Sequence, residues 1–347
     1  MEKIRAFCKR KNIVFSAKRY FIDAMSAMAQ GLFCSLLIGT IIKTLGQQLE
    51  LPFMVEMGGF ATAMAAPAMA IAIGYALQAP PLVLFSLAAV GQAANTMGDS
   101  GGPLAVFFIA IIAAEIGKAI SKETKIDILV TPLVTIFAGV CVSYVIAPPI
   151  GSVANAFGTL INTTTQLQPF WMGIAVSVLV GIALTLPISS AAICHTLGLV
   201  GLAGGAAVAG CCAQMVGFAV MSFRENKWGG LVSQGLGTSM LQMGNIVKNP
   251  RIGIPAIVTS AITGPLATCV FKLEMNGPAV SSGMGTCGLV GQIGVYTGWI
   301  SSCKAITSFD WIGLILICFI LPGVICWVLG LLCRKLGWIR EGDLKLD

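Results

Sequence analysis

The chain has 347 residues, of which 56% are hydrophobic and only 10% charged, and its mean hydropathy is +0.90; this composition excludes an ordinary soluble domain and indicates a bilayer protein. The net charge of +7 does not point to nucleic acid. Seven of the 21 basic residues, Lys3, Arg5, Lys9, Arg10, Lys11, Lys18 and Arg19, precede the first apolar segment, where they act as topology signals.

Residues 128–223 contain no Asp, Glu, Lys or Arg, and shorter uncharged stretches lie at 24–42, 57–98, 228–247, 252–271, 275–303 and 311–333. A helix needs about 20 apolar residues to cross the hydrocarbon, so about eight to ten embedded segments are expected, some too polar to cross completely. The predicted class is an all-α polytopic membrane protein that includes re-entrant hairpins. Basic residues near short loops stay cytoplasmic. This places segment 1–20 inside, with Lys118, Lys122 and Lys125 in a second inner loop and Arg334, Lys335 and Arg340 in an inner tail, 334–347. Residues 21–333 between them read as one transmembrane domain. The apolar run after the basic stretch has no small-residue cleavage pattern, which favours a retained first span over a signal peptide.

In chain order, spans are predicted at 21–45, 58–77, 103–120 and 126–148. Residues 79–102, whose first half is apolar and second half small and polar, read as a half-helix that breaks inside the membrane. Segment 150–168 is too polar to span and suits an outer, interfacial helix or loop. Residues 169–223 must then cross an odd number of times to bring Arg224 and Lys227 inside. One span at 169–187 with a Gly-rich hairpin, or three short crossings, satisfies this. Residues 228–247 have basic residues on both sides and fit a hairpin that returns to the cytoplasmic face. Full spans at 252–271 and 311–333 flank a second Gly-rich polar stretch, 274–299.

The 41 glycines concentrate at 198–217, 229–244 and 277–298. Small residues let helices pack closely in lipid. Mixed with Asn, Gln, Ser and Thr, they also mark non-helical backbone that only a protein-lined cavity tolerates. Both readings stay open here.

Asp99, in DSGGP, and Glu274, in EMNGP, each stand four residues before a Pro that follows Gly. Pro suits the first turn of a helix, with Ser100 or Asn276 available as a cap. Two helices starting inside the membrane, in different halves of the chain, point to a candidate inverted repeat and a transporter's binding site. A surface helix cap is the competing reading of each acid. Glu115 is either a pathway group or the ion-pair partner of Lys118, three residues on. His195 is the one titratable group of the uncharged run and needs a hydrogen-bond partner there. Asn95, Gln214, Gln242, Asn245, Asn276 and Gln292 are neutral amides of the kind a polyol site uses, or interhelical hydrogen-bonding groups. The candidate substrate-binding set is Asn95, Asp99, Glu115, His195, Gln214, Glu274, Asn276 and Gln292, around the 91–103 break and hairpins at 188–214 and 274–292.

No catalytic group is expected. GDSGGPL at 98–104 is spelled like the serine segment of trypsin-type proteases, but a triad needs a base oriented by a buried carboxylate. The only His lies downstream, and nothing here alternates like a β-barrel. No metal or cofactor is expected either, since CxxC pairs are absent and Cys34, Cys141, Cys194, Cys211, Cys212, Cys318 and Cys326 sit in apolar stretches as small hydrophobes.

The stretch NTMGDSGGPLAVFFIAIIAAEIGKAISKETKIDILVTPLVTIFAGV, from residue 95, resembles the membrane-embedded enzyme IIC-like family of the bacterial phosphotransferase system, in the branch that includes the perfringolysin regulatory membrane protein. The most specific parts are the turn at Asp99, AEIGK at 114–118 and KIDILVTP at 125–132, and the likeness extends over roughly 20 to 335. It implies a sugar-type translocation unit with re-entrant hairpins, a homodimer in the bacterial cytoplasmic membrane. In such proteins a Glu and a His near the hairpins hold the sugar while a separate IIB domain phosphorylates it; by residue type and position Glu274 and His195 are the candidates. The chain ends leave no room for fused IIA or IIB domains, so phosphorylation would require separate partners. Two functions are therefore expected to compete, a permease for a small polar, sugar-like solute and a membrane sensor or regulator that binds without transport. An ion channel is disfavoured by the lack of a repeated acidic ring.

Overall fold

A computed structural model describes residues 2–346 apart from 166, 304 and 305. Among the described residues the secondary structure is helical, with one isolated antiparallel bridge between Gly201 and Met275. Among the described residues six helices are long and apolar enough to cross a membrane, or seven if one bent pair counts as a span. The chain forms two compact units, Met1–Lys43 with Pro52–Val153, and Thr44–Leu51 with Ala154–Asp347.

The first unit contains α1 (Glu2–Arg10), most of α2 (Lys18–Gln47), α3 (Pro52–Ala63), α4 (Ala65–Ala76), α5 (Pro81–Gly98), α6 (Gly102–Ile120) and the start of α7 (Asp127–Thr164). Met28, Met69, Ile73, Leu87 and Phe107 are fully buried in it. The predicted span 58–77 is a pair of helices, α3 and α4, bent by 44°. Pro81 stands in the first turn of α5 and Pro103 in that of α6, positions that need no N–H donor.

The expected helix end at 148 is corrected. α7 continues through Pro148 and Pro149 to Thr164, so 150–168 is not a separate interfacial element. Before the prolines, Ile128, Leu129, Leu133, Phe137, Tyr144 and Val145 are exposed, an apolar stripe suited to lipid. Each Pro removes one backbone donor, yet the helix continues across both.

The second unit is built on α8 (Pro169–Thr185), α10 (Gly201–Met221), α13 (Pro250–Val270) and α15 (Ser308–Lys335), with the short α9 (Ser190–Thr196) between the first two. Gly181 lies against Gly210 and Thr185 bonds Gln214, so α8 and α10 run parallel. The chain therefore doubles back over 186–200, through α9, before α10 begins. α13 runs antiparallel to α8, with Ser177 Oγ donating to Ser260 O at 2.7 Å and Gly173 against Gly264. α15 runs parallel to α10, Gly217 facing Cys326 and Met221 facing Gly330.

The Gly-rich stretch 198–217 resolves in favour of close packing. α10 is a regular helix from Gly201 onward, buried along almost its whole length. A Cβ at Gly205 would lie 1.7 Å from Leu273 O, and one at Gly210 1.9 Å from Ser177 O. The other two Gly-rich stretches are broken. Residues 223–248 comprise α11 (Phe223–Val232), a π-helical turn Ser233–Gly237, extended Thr238, a 3-10 turn Ser239–Gln242 and α12 (Met243–Lys248). Residues 273–301 begin extended, pass through a 3-10 turn Ala279–Gly283 and positive-φ Gly285, Gly288 and Leu289, and end in α14 (Val290–Ser301).

Arg334, at the end of α15, bonds Glu225 at 2.7 Å with both side chains nearly buried. Glu225→Gln would leave that guanidinium without its counter-charge. The expected loss is about 2 kcal/mol, below a fully buried pair because Arg334 keeps some solvent. A fall of a few degrees in the melting temperature of the purified protein checks it.

Candidate functional site

Of the sequence-predicted residues, Asn95, Asp99 and Glu115 belong to the first unit. Asp99 is exposed and adopts φ 47°, forming the turn between α5 and α6. The helix cap is Gly101, not Ser100 as expected, and the Ser100 side chain lies outside the described residues. Asn95 packs its side-chain amide oxygen Oδ1 against Gly102, where a Cβ would come within 2.3 Å of it. Glu115 is paired with Lys118 at 2.9 Å. Lys118 Nζ also donates to the carbonyls of Asn12 and Leu77 at 3.0 and 3.1 Å, so this buried ammonium has three acceptors. At the same end Arg10 and Lys11 both close on Glu123, and the hydrogen bond from Lys11 holds its carboxyl below the usual carboxylate range.

His195, Gln214, Glu274, Asn276 and Gln292 belong to the second unit, at two levels along α10. Glu274 and Asn276 flank Met275, which pairs with Gly201 at the start of α10, and Asn276 donates to Glu274 at 3.2 Å. His195 is exposed in the last turn of α9, in the segment that leads to Gly201. Pro278 does not open a helix as Pro103 does. It precedes only the Ala279–Gly283 turn, because Gly277 is pressed against Gly294 and Gly298 against Asn276, which keeps the chain extended beside α14. The likeness between the Asp99 and Glu274 turns is thus one of spelling and not of backbone.

Gln214 and Gln292 lie deeper. Gln292 donates to Cys212 Sγ at 3.2 Å, and its own carbonyl oxygen is buried without a hydrogen-bond partner. Gln214 belongs to a buried polar cluster that the sequence reading missed. Its Oε1 accepts from Thr185 Oγ1 at 3.3 Å, its Nε2 donates to Ser260 Oγ at 3.4 Å, and Thr185 Oγ1 is 2.8 Å from Ser239 Oγ.

The two broken segments come together beside this cluster. Along 273–301, Met275 meets Gly201, Ser282 Oγ donates to Leu199 O, and Gly285 rests on Cys211, so the segment descends from the start of α10 to its middle. α14 then returns, Gly298 reaching Asn276. Along 223–248, Gln234 bonds Ser222 at the other end of α10, and Ser239 reaches Thr185 opposite Gln214. Thr286 Oγ1 donates to Gly235 O, joining one tip to the other. No side chain in this polar cluster is charged. The arrangement suits hydrogen bonding to a neutral, hydroxyl-rich molecule, and the hydroxyls and amides here bond one another.

Thr185, Ser239 and Thr286 left a faint trace in the sequence. Each lies within two residues of a chain breaker, Pro187, Gly237 and Gly285 respectively. Among the described residues no group of three or more His, Cys, Asp or Glu could hold a metal ion.

No curated protein and no solved structure matches the chain. The family model described as "Phosphotransferase system, EIIC" matches residues 22–346. With nearly the whole chain matched and a multi-pass array of apolar helices to carry it, the protein belongs to the EIIC family of the phosphotransferase system, the membrane components of sugar transport.

Proposed function

We propose that the protein is a permease for a neutral sugar or sugar-like solute, and that the second unit carries its binding site at Thr185, Gln214, Ser239 and Thr286. In this reading 223–248 and 273–301 are re-entrant hairpins that enter from opposite faces of the membrane. The observation that carries it is their meeting, Thr286 on Gly235, beside Met215 and Ala219 in the second half of the buried helix α10. Broken backbone at membrane depth is stable only where protein or a hydrated cavity satisfies it, and transporters place solute sites at such breaks. Uncharged donors and acceptors match hydroxyl groups without the desolvation cost of a buried charge.

His195, Glu274 and Asn276 would form the outer approach to this site. In this reading the chain ends would lie in the bacterial cytoplasm, a placement that the basic N-terminal segment supports. Phosphorylation would come from a separate IIB protein, and the exposed stripe of α7 is available to lipid or to a second copy in a homodimer. Purified protein in proteoliposomes is expected to bind one member of a panel of neutral hexoses, pentoses and polyols and to move it across the bilayer. A ligand that binds but shows no flux, with or without the phosphotransferase partners, would replace the permease with a sensor.

A further inference from the structure

The cytoplasmic-facing end of 223–248 in the proposed orientation is occupied by the chain's own tail, held through its backbone. Asn226 Nδ2 donates to Leu344 O at 2.7 Å, and its Oδ1 accepts from Leu346 N at 2.8 Å. Gln242 donates to the same Leu344 carbonyl at 2.9 Å, and Asn245 to Lys345 O at 2.8 Å. Three side-chain amides thus hold the main chain of the tail. The Leu344 side chain is fully buried with Phe218, Met221 and Ile252, and Ile339 joins the same cluster.

The amides that grip the tail are continuous with the broken segment. Asn245 donates to Gln242 Oε1, Gln242 to Gln234 Oε1, and Gln234 to Ser222 Oγ, all within 2.8–2.9 Å. Gln234 adjoins Gly235, the residue on which Thr286 rests. Farther out, Asn249 donates to Trp338 O and to Asp343, fixing the bend that brings the tail back. A tail bound this way ties both limbs of 223–248, Asn226 on one and Gln242 and Asn245 on the other.

We propose that Asn226, Gln242 and Asn245 form a slot for a peptide backbone, filled by residues 344–346 of the same chain, and that this occupancy latches 223–248 shut. Opening the route from that end to Ser239 requires the tail to leave. The proposal rests on the permease reading for its consequence, but the slot and its opening can be tested without any solute.

Ser239 is fully buried, so Ser239→Cys in the full chain reports opening through its labelling by a membrane-impermeant maleimide. The labelled peptide is quantified by mass spectrometry in everted vesicles. Adding Leu344→Asp, which evicts the tail, is expected to speed labelling about ten-fold or more, as the loss of several buried hydrogen bonds implies. Because an aspartate there also disturbs the apolar cluster, a second form tethers the tail instead. Asn226→Cys and Leu344→Cys joined by a cleavable thiol cross-linker are expected to slow labelling below the parent rate, and cleavage to restore it. Equal rates in the parent, evicted and tethered forms overturn the latch. Changed rates in a protein that moves no solute would uphold it while overturning the permease.

Discussion

Gly210→Ala is expected to prevent α10 from seating against α8 and to cost more stability than any other single methyl group added to the second unit except one at Gly205. Its Cβ would lie 1.9 Å from Ser177 O and 2.6 Å from Ser177 Cα, both backbone atoms. Neither helix can yield locally. Ser177 is tied to Ser260 of α13, and Gly173 of α8 is itself in backbone contact with Gly264. Overpacking of a core side chain costs about 1–3 kcal/mol when neighbours can rotate away; a backbone clash has no such relief, so at least about 3 kcal/mol is expected. For a unit of this size that corresponds to a fall of roughly 6–12 °C in melting temperature. Gly229→Ala is the control, because no atom lies within 4 Å of its added Cβ, and replacing a helical Gly there should be neutral or slightly stabilising. Thermal unfolding of the two variants side by side decides the matter. A Gly210→Ala protein as stable as Gly229→Ala would show that the small residues of α10 are not there for contact.

The same glycines show which parts of the fold were legible in the sequence. Spans could be read because hydropathy is a sum over about 20 residues and tolerates local noise; 103–120, 252–271 and 311–333 all reappear within a few residues. What a glycine is for depends on what lies across from it. Residues 198–217 and 277–298 have similar compositions, yet the first turns at Gly198 and Gly201 and is then continuous helix, its Gly205 and Gly210 facing backbone oxygens, while the second turns through positive φ at Gly285, Gly288 and Leu289 in its middle. Prolines were ambiguous in the same way. Pro103 opens a helix, Pro148 and Pro149 lie within one, and Pro278 precedes a single turn. The acid–Gly–Pro spelling shared by Asp99 and Glu274 carried no information about the backbone that follows. The polar cluster was the least legible of all, since Thr185, Gln214 and Ser239 come from three separate elements and meet only after α8 and α10 are aligned. Gln242 and Asn245 were recognised as amides suited to a polyol, but their donors are taken by the carbonyls of the tail.

Gln214→Leu is the substitution expected to weaken solute binding most while leaving the fold nearly intact. It preserves volume approximately and sits in a place already 98% shielded, its relative exposure being 2%. The bonds it loses are long ones, 3.3 Å to Thr185 and 3.4 Å to Ser260. Both hydroxyls keep other partners: Thr185 has Ser239, and Ser260 donates to Ala256 O at 3.0 Å. The folded protein should therefore lose no more than about 1 kcal/mol. A bound polyol, by contrast, would lose one donor and one acceptor that no water can replace in a closed site. At about 1–1.5 kcal/mol for each bond, affinity should fall roughly 30- to 150-fold. Isothermal titration with the sugar that binds the parent protein, paired with thermal unfolding, separates the two possibilities. Falling affinity at constant stability places Gln214 in contact with solute. Falling stability at constant affinity makes it an interhelical hydrogen-bonding group like many amides between membrane helices, and the site must then lie elsewhere along the two broken segments. Thr185→Val combined with Ser239→Ala extends the test, because their hydroxyls are 2.8 Å apart. If solute bridges them, the double variant should lose less affinity than the sum of the single variants, since either change alone breaks the shared contact.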